Sequence, residues 1–130
     1  MQSHQKRVLM DLDPLLRFKT EIKNSGDTKV LVLYFSGKIT SDNIFDLNHK
    51  IKTIFKEGIY NCILYLSELE YINSTGIAML LTIAKTIEQN SGKLVLTKPT
   101  SFVKDLFDMT DLDTRFEIVE DVDSALALFK

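Results

Sequence analysis

The sequence is short of the residues from which most catalytic and metal centres are built. Its 130 residues contain one cysteine and two histidines. The single cysteine, Cys62, excludes a disulfide within the chain and points to a reducing compartment. No cysteine or histidine cluster has the spacing of zinc ligands, so we expect no metal site. A Ser-His-Asp triad would have to use His49, which lies on the polar face of a predicted helix.

Glycine is also scarce, and its placement excludes a phosphate-binding loop. The five glycines stand apart from one another along the chain, whereas a loop that cradles a nucleotide phosphate needs them grouped. The carboxylate pairs Glu68/Glu70 and Asp111/Asp113 are interpreted as surface charges in loops. A general acid–base pair would need an apolar environment that raises the pKa of one of its two carboxyl groups, and no such residues lie nearby in the sequence. We therefore expect no enzyme activity and no cofactor.

Charge and hydropathy give no indication of nucleic acid or membrane. The net charge is −2, whereas a surface that binds nucleic acid is normally basic. No apolar run approaches the ~20 residues of a membrane span. The first residues lack the apolar segment of a signal peptide. We therefore expect a cytoplasmic protein that binds no nucleic acid and does not insert into a membrane.

The hydrophobic pattern predicts a single α/β domain. Residues 16–23 alternate between apolar and polar, residues 30–35 are apolar, and turn residues lie between them, which predicts a hairpin. Strands that alternate with amphipathic helices then predict a mostly parallel sheet. We expect a mixed sheet of four to five strands that opens with the hairpin, together with about four helices. The later strands are predicted at residues 62–66, 94–96 and 116–119.

The domain is predicted to occupy residues 14–130, with residues 1–13 as an N-terminal tail or short packing segment. Residues 8–12 are too apolar for a purely solvated tail. They could form a short strand or turn before Pro14, or pack against a second chain. The oligomeric state is therefore left open.

The candidate functional site is the stretch at residues 71–81. An apolar strand precedes it, and a helix over residues 75–89 is predicted to follow. Asn73, Ser74 and Thr75 are all good helix caps, although a helix needs only one. The simplest interpretation is a cap and nothing more. The alternative is that one of the hydroxyl groups is displayed at the edge of the sheet.

The predicted helix also has apolar residues on what we take to be its outer side. Met79 and Ile83 lie roughly opposite the stripe of Ile77, Leu80 and Ala84. If they are exposed, they form a docking face beside a modifiable hydroxyl. Burial under a neighbouring helix is the alternative.

The sequence around this stretch, and over most of the chain, resembles the STAS domain of bacterial anti-sigma factor antagonists. The likeness is carried by Leu69-Glu70-Tyr71-Ile72-Asn73-Ser74-Thr75-Gly76-Ile77, then a helix, then Gly92-Lys93-Leu94-Val95-Leu96. It extends over about residues 14–129 and implies a STAS-like fold. Further matching segments are residues 35–39, 106–112 and 123–126.

The resemblance implies a phosphorylation switch. In switching members of the family, the serine after an aspartate is phosphorylated by a kinase that is also the anti-sigma factor. That modification breaks the complex, and a phosphatase of the PP2C type restores it. By position, Ser74 is the implied phosphoacceptor. Asn73 stands where the family usually has aspartate, so phosphorylation is expected to be slow or absent if that charge positions the serine.

The resemblance also implies a switch loop and a surface that binds the partner. Gly76 is expected to let a partner's backbone come close. The implied switch-loop residues beside Ser74 are Asn73, Thr75 and Gly76. The implied partner-binding residues are Gly37, Thr40, Ser41, Met79 and Ile83.

Two other functions stay open at this stage. A STAS-like domain can be an accessory subunit of a membrane transport complex, which needs no phosphorylation and is compatible with Asn73. A small enzyme or nucleotide-binding protein is the remaining class, and the sequence offers no motif in its favour.

Overall fold

In the part of the chain that the structure describes, six strands form one mixed sheet, and their order in space follows their order in the chain. The computed structural model describes residues 7–110 and 116–129, with the backbone alone for residues 7–13. The elements are β1 (Arg7–Asp13), β2 (Leu16–Ser25), β3 (Thr28–Ile39), α1 (Ile44–Phe55), β4 (Cys62–Ile72), α2 (Ser74–Gln89), β5 (Leu94–Thr97), α3 (Ser101–Met109), β6 (Glu117–Val119) and α4 (Val122–Leu126).

The sheet confirms the predicted hairpin and the predicted parallel region. β2 and β3 are antiparallel, and Ser25 pairs with Thr28 across a two-residue turn. Gly26 in that turn has φ of 61°. The pairs β3–β4, β4–β5 and β5–β6 are parallel. The sheet has more strands than the four to five expected, because Arg7–Asp13 pairs with β2 as an antiparallel strand.

The two faces of the sheet are covered unequally. α1, α2 and α3 pack on one face and enclose the larger core, which contains Phe18, Phe35 and Phe107. α4 packs on the opposite face over Val30, Val32 and neighbouring residues. These three helices therefore lie on the same face of the sheet, and each follows a strand of its parallel region.

β4 is longer than the predicted strand at residues 62–66. It continues to Ile72 because its second half pairs with the end of β3, where Ile39 lies opposite Ile72. Glu68 and Glu70 consequently belong to a strand, so their predicted placement in loops is wrong. Because of this extension, β3 and β4 end side by side at the same edge of the sheet.

Gly37 allows β3 to bend beside the start of β2. Its φ is 107°, and a Cβ atom there would collide with the carbonyl oxygen of Leu15. That oxygen accepts a hydrogen bond of 2.8 Å from the backbone N–H of Lys38. The geometry therefore gives Gly37 a structural role that is independent of any partner.

Cys62 packs in the core. Its side chain is buried, and this burial raises the pKa of the thiol well above its ordinary value. A thiol in such surroundings is a packing group rather than a nucleophile.

Candidate functional site

The candidate site lies at the carboxyl ends of β3 and β4. The backbone N–H of Asn73 donates to the carbonyl oxygen of Ile39 over 3.3 Å. This contact holds the turn after β4 against the turn after β3. Ser74 then begins α2, and residues 40–43 lead from β3 into α1.

Asn73, rather than either hydroxyl residue, caps α2. Its Oδ1 accepts a hydrogen bond of 2.7 Å from the backbone N–H of Gly76. Its backbone carbonyl accepts from the N–H of Ile77 over 3.0 Å. The side chains of Ser74 and Thr75 are both exposed. The cap therefore leaves both hydroxyls available to other molecules.

The amino end of α2 is electrostatically suited to an anion. Its first turn contains no acidic residue, so no carboxylate offsets the partial positive charge of the helix end. Unsatisfied N–H groups at such an end commonly bind phosphate.

Replacing Asn73 tests this assignment of the cap. Asn73→Ala removes the oxygen bonded to Gly76 and should lower the free energy of unfolding by about 1 kcal/mol. Asn73→Asp keeps the oxygen, adds a favourable charge, and should raise stability by about 0.3–1 kcal/mol at low salt. Urea denaturation of both variants measures the difference. Wild-type stability of the alanine variant would mean that another group caps α2.

Gly76 faces the sheet instead of a partner. A Cβ atom at this position would lie 2.5 Å from Cγ1 of Ile72 and 3.1 Å from Cγ2 of Ile39. The glycine lets the first turn of α2 pack closely on the ends of β3 and β4. The expectation that it admits a partner's backbone is therefore wrong, because the residue is buried.

The predicted exposure of Met79 and Ile83 is also wrong. Their exposed fractions are 5% and 3%, and both belong to the main core. The reason is the rotation of α2, which turns Gly76, Met79, Leu80, Ile83 and Ile87 inward. The outward side of the helix carries Ser74, Thr75, Ala78, Leu81, Thr82 and Lys85.

The turn after β3 is held by a buried asparagine. Asn43 donates through Nδ2 to the carbonyl oxygen of Lys38 over 2.9 Å, and its Oδ1 accepts from the N–H of Thr40 over 3.0 Å. Thr40 is half-buried and Ser41 is exposed. Their position beside Ser74 is compatible with the predicted partner-binding surface, which stays a prediction.

Three aromatic side chains at this edge were not assigned to the site from the sequence. Phe45, in the first turn of α1, is 80% exposed, and Tyr71 and Phe102 are 38% and 46% exposed. Tyr71 and Phe102 stack with ring centroids 5.3 Å apart. Thr100 Oγ1 donates to the carbonyl oxygen of Leu69 over 2.7 Å, which holds the start of α3 beside β4.

The sequence offered a signal for one of these aromatic residues. Phe45 lies outside the buried stripe of α1 that contains Leu47, Ile51 and Phe55, and an apolar residue off the stripe is a candidate for the surface. Phe102 lies off the inward side of α3, which carries Val103 and Phe107. It is exposed because α3 begins beside the protruding end of β4.

The other candidate residues that the structure describes do not come together as a catalytic or metal site. Tyr65 donates to Glu68 Oε2 over 3.3 Å, and partial burial together with that carboxylate raises the pKa of the Tyr65 hydroxyl. His49 is exposed. Asp111 and Asp113 lie outside the described residues. Among residues 7–110 and 116–129, no group of three or more potential metal ligands comes together, and no helix has the length and apolar character to cross a membrane.

A family model described as the STAS domain matches residues 20–125. The chain belongs to the STAS domain family. Among curated proteins, it is similar to BtrV of Bordetella bronchiseptica, whose name describes an anti-sigma factor antagonist. The two are 28% identical over 101 residues, which cover 78% of this chain and 87% of BtrV.

Solved structures share the STAS fold with this chain. An anti-sigma factor antagonist from Mycobacterium paratuberculosis aligns with a TM-score of 0.67 and 17% identity, covering 99% of this chain and 98% of that one. The Bacillus cell fate determinant SpoIIAA, solved in its phosphorylated form, aligns with a TM-score of 0.61 and 16% identity, covering 81% and 93%. At these identities the likeness establishes the fold alone.

Proposed function

We propose that this STAS domain is an anti-sigma factor antagonist that acts as a phosphorylation-controlled interaction module. It binds an anti-sigma factor that is also a serine kinase, and thereby frees a sigma factor in the cytoplasm. The kinase phosphorylates Ser74, and a phosphatase of the PP2C type removes the phosphate. The module itself catalyses no reaction.

The observation that carries this proposal is that one residue caps α2 while the next residue displays its hydroxyl group to solvent. Asn73 supplies the cap to Gly76, so the exposed hydroxyl of Ser74 has no structural task there. The named relatives support the antagonist role, since BtrV and the Mycobacterium paratuberculosis protein are both described as anti-sigma factor antagonists. SpoIIAA, which shares the fold, exists in phosphorylated and unphosphorylated forms.

A phosphate on Ser74 would be compatible with the folded domain and incompatible with a docked partner. It adds a charge of about −1.5 to −2, which the amino end of α2 stabilises. The same charge would lie at the docking edge, defined here as Ser41, Phe45, Tyr71, Ser74 and Phe102. Three of those five residues are exposed aromatics, and a partner that covered them would also have to desolvate the phosphate dianion, which is costly.

Substitution of Ser74 tests the proposal. Ser74→Ala should retain the kinase in a pull-down, even after incubation with ATP, because it cannot be modified. Ser74→Asp should retain much less, since it introduces a permanent charge at the docking edge. The control is Ser124→Asp, which makes the same change on an exposed residue of α4, on the opposite face of the sheet, and should bind normally. Equal retention by both Ser74 variants would refute the switch.

Asn73 favours a second candidate function, that of an unphosphorylated accessory subunit of a membrane transport complex. Without the usual aspartate, the site lacks a charge that could position Ser74 for a kinase. Intact-mass measurement after incubation with the kinase and ATP separates the two functions. Addition of one phosphate, located on Ser74, supports the antagonist, and an unchanged mass supports the accessory subunit.

A further inference from the structure

A solvent-open groove runs between α1 and α2. Its volume is about 260 Å³. The floor is formed by Ile51, Phe55 and Ile83, all of which are buried. The Phe55 ring stacks on Tyr60 with centroids 5.9 Å apart, which extends the apolar wall. The groove therefore has an apolar base, of which the half-buried Tyr60 is the more exposed part.

The charged residues that line the groove are all positive. Lys52 of α1 and Lys56, the residue after α1, line one side, and Thr82 and Thr86 of α2 line the other. None of the lining residues is acidic. Two cationic groups on one side, with no acidic residue in the lining to offset them, favour an anionic ligand with an apolar side.

We propose that this groove docks an amphipathic helix of a partner protein whose apolar face is flanked by acidic residues. The volume is below the ~300–1,000 Å³ typical of small-molecule sites, so it suits a few inserted side chains better than a cofactor. Helices commonly bind in this way, with apolar anchors at positions i, i+3, i+4 and i+7. The two lysines select an acidic helix over a basic one.

The groove and the proposed switch share α2. Thr82 follows Ser74 by eight residues on α2, a distance of about 12 Å along the helix axis. A phosphate on Ser74 would repel an acidic helix where that helix extends from the groove to within about 8 Å of the phosphate. This consequence rests on the proposed function, whereas the groove and its charge do not.

Two designed helical peptides of about 18 residues test the proposal. Both carry leucines at the anchor positions, and one has glutamate where the other has lysine on the flanks. In a ¹⁵N-labelled NMR titration, the acidic peptide should shift the amides of Lys52, Lys56, Thr82 and Thr86. Its affinity should exceed that of the basic peptide by about tenfold.

Charge reversal supplies the matched controls. The double variant Lys52→Glu/Lys56→Glu should reverse the preference between the peptides, whereas Lys50→Glu, an exposed lysine of α1 outside the groove, should leave it unchanged. Equal binding of the two peptides, shifts confined to other surfaces, or no shift at millimolar acidic peptide would overturn the proposal. Concentration-dependent shifts of the groove amides without peptide would also overturn it and identify a second copy as the occupant. None of these results depends on whether Ser74 is phosphorylated.

Discussion

Gly37→Ala should lower the free energy of unfolding by about 2–5 kcal/mol, combining backbone strain with a steric clash. The φ of 107° is a conformation that alanine rarely adopts, and the new Cβ would collide with the carbonyl oxygen of Leu15. A backbone oxygen cannot rotate away as a flexible side chain can, so β2 and β3 would have to separate. Urea denaturation measures the loss.

The matched control for Gly37 is Gly26→Ala in the hairpin turn. Gly26 also has positive φ, at 61°, but no atom lies within 4 Å of an added Cβ. This variant should cost only about 1–2 kcal/mol, from the left-handed backbone alone. Equal losses in the two variants would mean that the contact with Leu15 contributes nothing. A larger loss at Gly37 would confirm that this contact holds β3, and with it Ile39, in place beside the candidate site.

Met79→Asp should destabilise the domain by at least about 3 kcal/mol, since it buries a carboxyl group without a partner. Met79 is 5% exposed in the core between α2 and the sheet. Burial would raise the pKa of the new carboxyl group above that of an aspartate in the unfolded chain. The loss of stability should therefore grow as the pH rises above the pKa of a normal aspartate. Denaturation curves at pH 5 and pH 8 test both the size and the pH dependence.

Two further variants show whether Met79 acts by packing in the core or by contacting a partner. Leu81→Asp places the same charge on a residue of α2 that is 37% exposed, and it should change stability by less than about 1 kcal/mol. Met79→Leu conserves volume and should cost less than about 1.5 kcal/mol. A Met79→Asp protein of wild-type stability that had lost its partner would restore the docking face predicted from the sequence.

The elements that were predicted correctly are those in which a local pattern and the tertiary structure agree. The alternation in β2 and the turn at Gly26 were sufficient for the hairpin. The cap before α2 was recognisable because Asn73, Ser74 and Thr75 interrupt two apolar segments. The sequence could not show which of the three residues makes the cap, since all three have suitable side chains.

The errors arose where distant pairing decides the structure. The end of β4 contains Glu68 and Glu70, which look like loop residues until β3 is seen to extend beside them. The inward face of α2 was misjudged because both sides of the helix carry apolar residues, and the buried glycine, Gly76, turns Met79 toward the core. A glycine in a helix gives no hydrophobic signal, although it allows the closest approach to the sheet.

The most direct test of the central claim is the affinity of the proposed partner, the anti-sigma kinase, for two forms of this protein. One form is unmodified, and the other carries phosphoserine incorporated at position 74 during synthesis. Isothermal titration calorimetry should find that the phosphorylated form binds about 100-fold more weakly or worse, while its thermal stability is equal or higher. Equal affinity of the two folded forms for the kinase would contradict control of docking through Ser74.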